Sequence, residues 1–477
     1  MFQQTSQPRI VVPFTGPEAG TEPLSWGQKA IYQDMQDNVS QFSMGGRAEL
    51  PEGSTVEDAA ALLSGVMGRQ ASLRMRLGTD RAGRPCQEIA GSGQIGLDIL
   101  TIPDDIDPAD TEQYAADLMD AWPLAPFDFQ RDWPLRMAVL RHRGTCVYVV
   151  WVLSHLAADG GGHMLFLDDL IAHELAGRPP GRPAGGPRRA QLPDVARSEQ
   201  APQLRQLSSR AMRHWESQLS GIPALTFGEP AQPDGQPGPR YGRVRFRSPA
   251  AHLAMLAIAQ RTRADASRVT LAVIATAIGR ATGAAPLTVN VMVNNRFRPG
   301  LADVIAPIAQ NSVLTIDVTD SSVDEVVARA RGASLTAGMR AYYDPDELRE
   351  LTTRLDAERG YPARVSCRVN DQRAMVLRPD EEVSPGDMTP EQIRQRLPET
   401  SLAWLAPLDH MHDQAVILVE NRRNVVQLFM MYDSWSLSKG QVEAFLRCVE
   451  EVAVEAAFDP AAPTRVLPRA VPRTSPA

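Results

Sequence analysis

Lysine is almost missing from this chain. Only Lys29 and Lys439 are lysine among its 49 basic residues, and the other 47 are arginine. Beside abundant alanine, glycine and proline, that bias reads as the base composition of a GC-rich genome and not as phosphate chemistry. Basic charge is also outweighed, since 49 Lys and Arg against 57 Asp and Glu leave a net −8. That balance argues against nucleic acid as a partner of the whole chain. Cysteine is sparse: Cys86, Cys146, Cys367 and Cys448 stand far apart, with no Cys-x-x-Cys or Cys-x-x-His pair. A zinc ribbon and a thioredoxin motif are thereby excluded. Such scattered thiols behave as small buried hydrophobes in a reducing compartment. No run approaches the ~18 apolar residues of a transmembrane helix, and no basic segment leads into an apolar stretch at the N-terminus. The expectation is a soluble cytoplasmic protein with no membrane partner. No Gly-x-Ser-x-Gly elbow follows a strand, which disfavours a serine hydrolase.

What is there is globular and mixed α/β. The 477 residues are 43% hydrophobic and 22% charged, and at ~150 residues per domain they make two or three lobes. Residues 1–23 read as a polar, extended lead-in. Ser54 and Glu57 form a capping box ahead of a helix at 55–68, and a second helix covers 110–122. Thr145–Leu153 is nearly all β-branched or aromatic, a strand buried on both faces. It empties into Ser154-His155-Leu156-Ala157-Ala158-Asp159-Gly160-Gly161-Gly162, and a helix is expected from about His163 to Leu175. Residues 177–203, crowded with Pro, Gly and Arg, read as a linker between an N-terminal lobe at 20–176 and a C-terminal lobe at 204–458. Helices are expected at 204–220, 250–263, 269–282, 322–337 and 439–456. Strands are expected at 287–294, 365–369 and 414–420, the last joined through Asn421–Asn424 to Val425–Tyr432. Residues 459–477 read as a flexible tail.

The strand-to-loop segment at His155 is where residue types look arranged for chemistry. A buried strand delivers a histidine to its end, where α/β architectures place reactive groups. An imidazole near its ordinary pKa is partly neutral at pH 7 and can take or orient a proton. Asp159 could fix that ring or hold the loop, and three glycines would permit positive φ and close approach of a substrate. A lone His-x-x-x-Asp is more often structural. His155, Asp159 and His163 at i, i+4 and i+8 would suit a metal only on a continuous helix, which Gly160–Gly162 should break; no metal is expected. His410, His412 and Asp413 read as a solvated loop. Ser154 cannot serve His155 as a nucleophile, because neighbours on a strand point to opposite faces.

Ser154-His155-x-x-x-Asp159-Gly160 resembles the His-His-x-x-x-Asp-Gly signature of condensation domains of nonribosomal peptide synthetases, in the chloramphenicol-acetyltransferase-like acyltransferase superfamily. Leu24-Ser-Trp-Gly-Gln28, Arg69-Gln-Ala-Ser-Leu-Arg74, Pro126-Phe127-Asp128 with Pro134-Leu135-Arg136, and His214-Trp215-Glu216 are similar to further segments of that family. So are Asn295-Arg296-x-Arg298-Pro299 with Asn311, and Tyr432-Asp433, all in the family's order over about 24–455. The chain departs from the pattern at Ser154 in place of the first histidine, at Gln70-Ala71 in place of His-Glu, and at Ala306 where glycine is common.

The resemblance implies two chloramphenicol-acetyltransferase-like lobes forming a V with a central tunnel. A donor thioester on a phosphopantetheine arm, borne by an acyl or peptidyl carrier protein or by coenzyme A, would meet a small-molecule amine or hydroxyl there, with no bound cofactor. His155 would be catalytic and Gly160 would offer its backbone amide. Asp159, paired with Arg74, and Ser154 would be structural, and Gly161, Asn311 and Tyr432 would line the tunnel. A free-standing monomeric condensation enzyme of natural-product or antibiotic biosynthesis is the leading expectation. A coenzyme A-dependent acyltransferase and a non-catalytic recruitment domain are the alternatives.

Overall fold

A computed structural model of the chain describes residues 8–38, 43–121, 126–170, 189–222, 225–231, 238–373, 389–422 and 424–467. The chain divides into two compact units. The first holds residues 1–206 and 294–309, the second 207–293 and 310–477.

The first unit runs β1 (Arg9–Thr15), β2 (Gly20–Pro23), α1 (Trp26–Asn38), β3 (Ser43–Glu49), α2 (Val56–Arg69), β4 (Met75–Thr79), β5 (Pro85–Ile89), β6 (Ser92–Ile102), α3 (Thr111–Ala121), β7 (Leu135–His142), β8 (Thr145–Ser154), α4 (Gly160–Leu170) and α5 (Leu192–Ser198). Its main sheet has the order β1-β6-β7-β8-β3, and a smaller one the order β2-β5-β4. β6 and β7 pair in parallel and the other neighbours antiparallel. Leu63, Val66 and Met67 of α2 and Phe166 of α4 meet Leu97, Met137, Val149 and Trp151 of the sheet in one core.

Several expectations change here. The lead-in is two strands, and β1 buries Val12 and Phe14 while its alternate residues face solvent. Its alternation is thus that of a half-buried strand. The cap of α2 is one residue later than expected. Thr55 accepts from the Asp58 amide at 3.1 Å and Asp58 accepts from the Thr55 amide at 2.9 Å, while Ser54 donates to the Pro51 carbonyl. The linker expected at 177–203 contains α5, whose Leu192, Val195 and Ala196 are buried, because Asp194 accepts from the Gln191 amide and starts a helix. Residues 171–188, including the expected helix end at Leu175, lie outside the described residues.

The second unit takes most of α6 (Pro202–Leu219), then β9 (Tyr241–Ser248), α7 (Pro249–Thr262), α8 (Ala266–Thr282), β10 (Leu287–Val293), β11 (Gln310–Ile316), α9 (Val323–Met339), α10 (Pro345–Arg359), β12 (Cys367–Asp371), α11 (Pro390–Gln395), β13 (Ser401–Leu408), β14 (Ala415–Arg422), β15 (Val425–Asp433) and α12 (Lys439–Ala456). Its sheet has the order β11-β10-β12-β14-β15-β9-β13, with β10, β12 and β14 parallel. Every residue of α8 from Val269 to Gly279 is buried, as befits a helix apolar all round. The tail is anchored over its first part. Ala462, Thr464 and Val466 are buried, and the Thr464 amide donates to the Ser321 carbonyl at 2.8 Å. Residues 468–477 lie outside the described residues. Among the described residues no helix is long and apolar enough to cross a membrane, and no group of three metal-ligating side chains converges.

Candidate active site

β8 is an interior strand, flanked by β7 and β3. Its last residue, Ser154, turns the chain. The amide donates to Pro134, the carbonyl accepts from Ala157, and Oγ accepts from the Leu156 amide at 3.2 Å. The hydroxyl is therefore occupied in shaping the turn. His155 follows, half-buried. Burial pushes its pKa below the ordinary histidine value, against the pull of the Asp159 charge. A neutral imidazole results at neutral pH.

Asp159 is the N-cap of α4. Its Oδ1 accepts from the Gly162 amide at 2.7 Å and its carbonyl from the His163 amide at 2.7 Å. That cap starts the helix at Gly160, so the three glycines form its first turn instead of preventing it. None of the three has a positive φ. Gly161 and Gly162 serve close packing. A Cβ on Gly161 would lie 2.7 Å from Arg296 Nη1, and one on Gly162 3.1 Å from the Ala306 carbonyl oxygen. Gly161 was expected to face substrate; the side chain it lacks is the space of the Arg296 guanidinium.

The same carboxylate holds residues 294–309. Arg296 grips it bidentately, Nη2 to Oδ1 at 2.8 Å and Nη1 to Oδ2 at 2.9 Å, and the Ile308 and Ala309 amides donate to Oδ2 at 2.8 and 2.7 Å. Burial would raise the Asp159 pKa, but the Arg296 charge and these hydrogen bonds hold it below the ordinary value. The expected Asp159–Arg74 pair is thus corrected: the partner is Arg296. Arg74 is fully buried elsewhere, donating to the Glu18 and Ala90 carbonyls and pairing with the Glu18 carboxylate at 3.2 Å. Gly16 makes room for that guanidinium.

Three residues complete the loop's support without having been assigned roles from sequence. Gln28 is buried, and its Nε2 donates to the Leu156 carbonyl at 3.3 Å, between His155 and Asp159 in the chain. Asn295 takes a φ of 58°, donates to Ile308 at 3.1 Å and accepts from Arg298 at 3.0 Å, closing the 294–309 segment on itself. His163 accepts a hydrogen bond from the Trp151 indole at 3.0 Å, which fixes it as neutral. Burial first, and His155 second, lower its pKa to about 4. Only the family-like segments Leu24–Gln28 and Asn295–Pro299 signalled the first two.

Comparison with known proteins decides the family. The model of the condensation domain matches residues 18–360. The chain belongs to the condensation-domain family. Solved condensation domains share its chloramphenicol-acetyltransferase-like fold. The X-domain from teicoplanin biosynthesis superposes with a TM-score of 0.69 at 20% identity, covering 95% of this chain and 98% of that one. The condensation domain of chain release from the enacyloxin polyketide synthase gives 0.68 at 16%, covering 97% and 85%. The SgcC5 protein of Streptomyces globisporus gives 0.67 at 18%, covering 92% and 100%. No curated protein matches.

As a condensation domain, the chain accommodates its departures locally. Gln70 donates to Asp169 at 3.2 Å, and the Ala306 carbonyl accepts from Arg296 at 3.1 Å. Asn311 and Tyr432 lie in the second unit, on β11 and near the end of β15. His410 and His412 are exposed in the loop after β13, as expected.

Proposed function

We propose that this condensation domain is an acyltransferase. It moves an acyl or aminoacyl group from the phosphopantetheine thioester of an acyl or peptidyl carrier protein to a small-molecule amine or hydroxyl. The observation that carries this reading is the neutral imidazole of His155, held by a loop whose Asp159 is committed to Arg296 and to three backbone amides. The carboxylate is fully employed in structure, which leaves the proton work to His155. The acceptor nitrogen or oxygen attacks the thioester carbonyl carbon. A C–N or C–O bond forms, the C–S bond breaks, and the acceptor's proton passes by way of His155 to the departing thiolate. The Gly160 amide, at the first position of α4, is one of those a helix start leaves open to a developing oxyanion. Holding two reactants in line contributes up to ~7–11 kcal/mol and need not be matched by base strength.

A second reading has one observation behind it. An X-domain of the same fold has been solved as a complex with OxyB, from teicoplanin biosynthesis, so a fold of this kind also receives a protein partner. Single-turnover transfer from a panel of loaded carrier proteins and coenzyme A thioesters separates the readings. His155→Ala is expected to lower the rate ~10²–10⁴-fold without changing the fold. Ser154→Ala is expected to cost less. Wild-type rates in His155→Ala would remove the catalytic assignment and favour recruitment.

A further inference from the structure

A cavity of about 280 Å³ opens in the second unit between β9, β13, β15 and the start of α12. Trp404, Tyr432 and Trp435 line it together with Gly242 and two cations, Arg243 and Lys439. A cavity of ~150 Å³ holds benzene, so this one has room for a substituted ring. Gly242 is part of its construction. A Cβ there would fall 2.3 Å from Cζ of Tyr432, so the absent side chain is what lets the phenol lie across β9. Tyr432 is 1% exposed overall, and its ring lies over Gly242 on the cavity wall.

The charge at this place has one sign. Lys439 lies over the Trp404 ring at 5.3 Å and stands in the first turn of α12, where no acidic residue offsets it. A cation at the positive end of a helix is disfavoured until an anion arrives. No carboxylate lines the cavity. The nearby Asp433 is held by Arg240, with Nε 3.1 Å from both oxygens and Nη2 2.7 Å from Oδ2.

We infer that this cavity is a small-molecule site for a planar aromatic acid, its ring among Trp404, Tyr432 and Trp435 and its anionic group toward Lys439. It is built from residues of the second unit, and its test needs no turnover. Ligand-observed NMR titration of the full chain with phenylacetate, phenylacetamide and acetate reads it. Phenylacetate is expected to bind roughly five-fold more tightly than the amide, the scale of one exposed ion pair, and acetate to bind negligibly. Lys439→Gln, an exposed change that leaves the fold intact, should reduce the preference for the acid, and Lys439→Gln with Arg243→Gln should erase it. Gly242→Ala and Trp404→Leu, checked for native melting, should weaken binding roughly ten-fold by displacing or removing a ring. Equal binding of acid and amide, or an acid preference undiminished by Lys439→Gln or surviving the double change with Arg243→Gln, would overturn the proposal. So would undiminished binding in folded Gly242→Ala.

Discussion

A carboxylate in water loses little when one partner is removed, but Asp159 is not in water. It is 4% exposed and answers Arg296 and three amides at once. Removing the guanidinium leaves a buried charge with only neutral donors. Breaking such a pair costs ~3–5 kcal/mol, whereas an exposed one is worth under about 1. Arg296→Ala is therefore expected to lower the urea midpoint severely and to release residues 294–309. Arg296→Lys should recover only part, because an ammonium cannot reproduce the two-pronged contact. An Arg296→Ala protein with the wild-type midpoint would contradict this. The sequence reading anticipated a buried arginine–carboxylate pair at Asp159 but chose Arg74. Both arginines stand in family-like segments, both are buried, and no periodicity relates residues 137 positions apart, as Asp159 and Arg296 are.

At the scale of elements, legibility followed unbroken apolar runs. β8, with its unbroken β-branched and aromatic run, lies within a residue of its expected end, and α12 matches its expected span. β2 to β7, β9, β11 and β13 escaped notice: most are short or carry polar residues on an open face, and even the largely buried β7 and β11 break their apolar runs with Arg136, Arg141, Asn311 and Ser312. The start of α4 was misplaced because glycine's poor helix propensity was weighed without the cap that overrides it. The contact between β8 and α4 makes a testable pH dependence. Folded His163 takes a proton only at about 4, whereas the unfolded chain binds one near the ordinary histidine value of 6.5. The unfolded state therefore holds more protons between these values, and stability is full above about 6.5 and falls as the pH drops toward 4. At ~1.4 kcal/mol per unit the loss is about 3 kcal/mol. His163→Gln keeps an acceptor for the Trp151 indole and loses the titration. Its urea midpoint should fall less than wild type between pH 7 and 4.5, with His155 supplying part of the remaining slope. Parallel falls in the two proteins would show that His163 is not held neutral.

The whole molecule is assembled against chain order, and this limits what a linear reading can divide. Residues 294–309 belong to the first unit although the rest of that unit ends at Gln206. Composition pointed to a single cut in the long Pro- and Arg-rich stretch, because the polar run Asn294–Gly300 is short and reads as an ordinary loop between strands. The returning segment completes the first unit's chemistry. It brings Arg296 and the Ile308 and Ala309 amides to Asp159, and it presses the Pro307 carbonyl where a Cβ on Gly27 of α1 would stand, 1.8 Å away. A polypeptide of residues 1–206 alone has the carboxylate without its cation and the α1 surface without its cover. It is expected to unfold in urea without a cooperative transition and to exchange the Gly162 amide rapidly. Appending residues 294–309 through a flexible glycine–serine linker supplies the missing partners at high effective concentration and should restore both cooperativity and amide protection. The same appendage carrying Arg296→Ala should not. Cooperative unfolding and a protected Gly162 amide in residues 1–206 alone would show that the first unit does not depend on the returning segment.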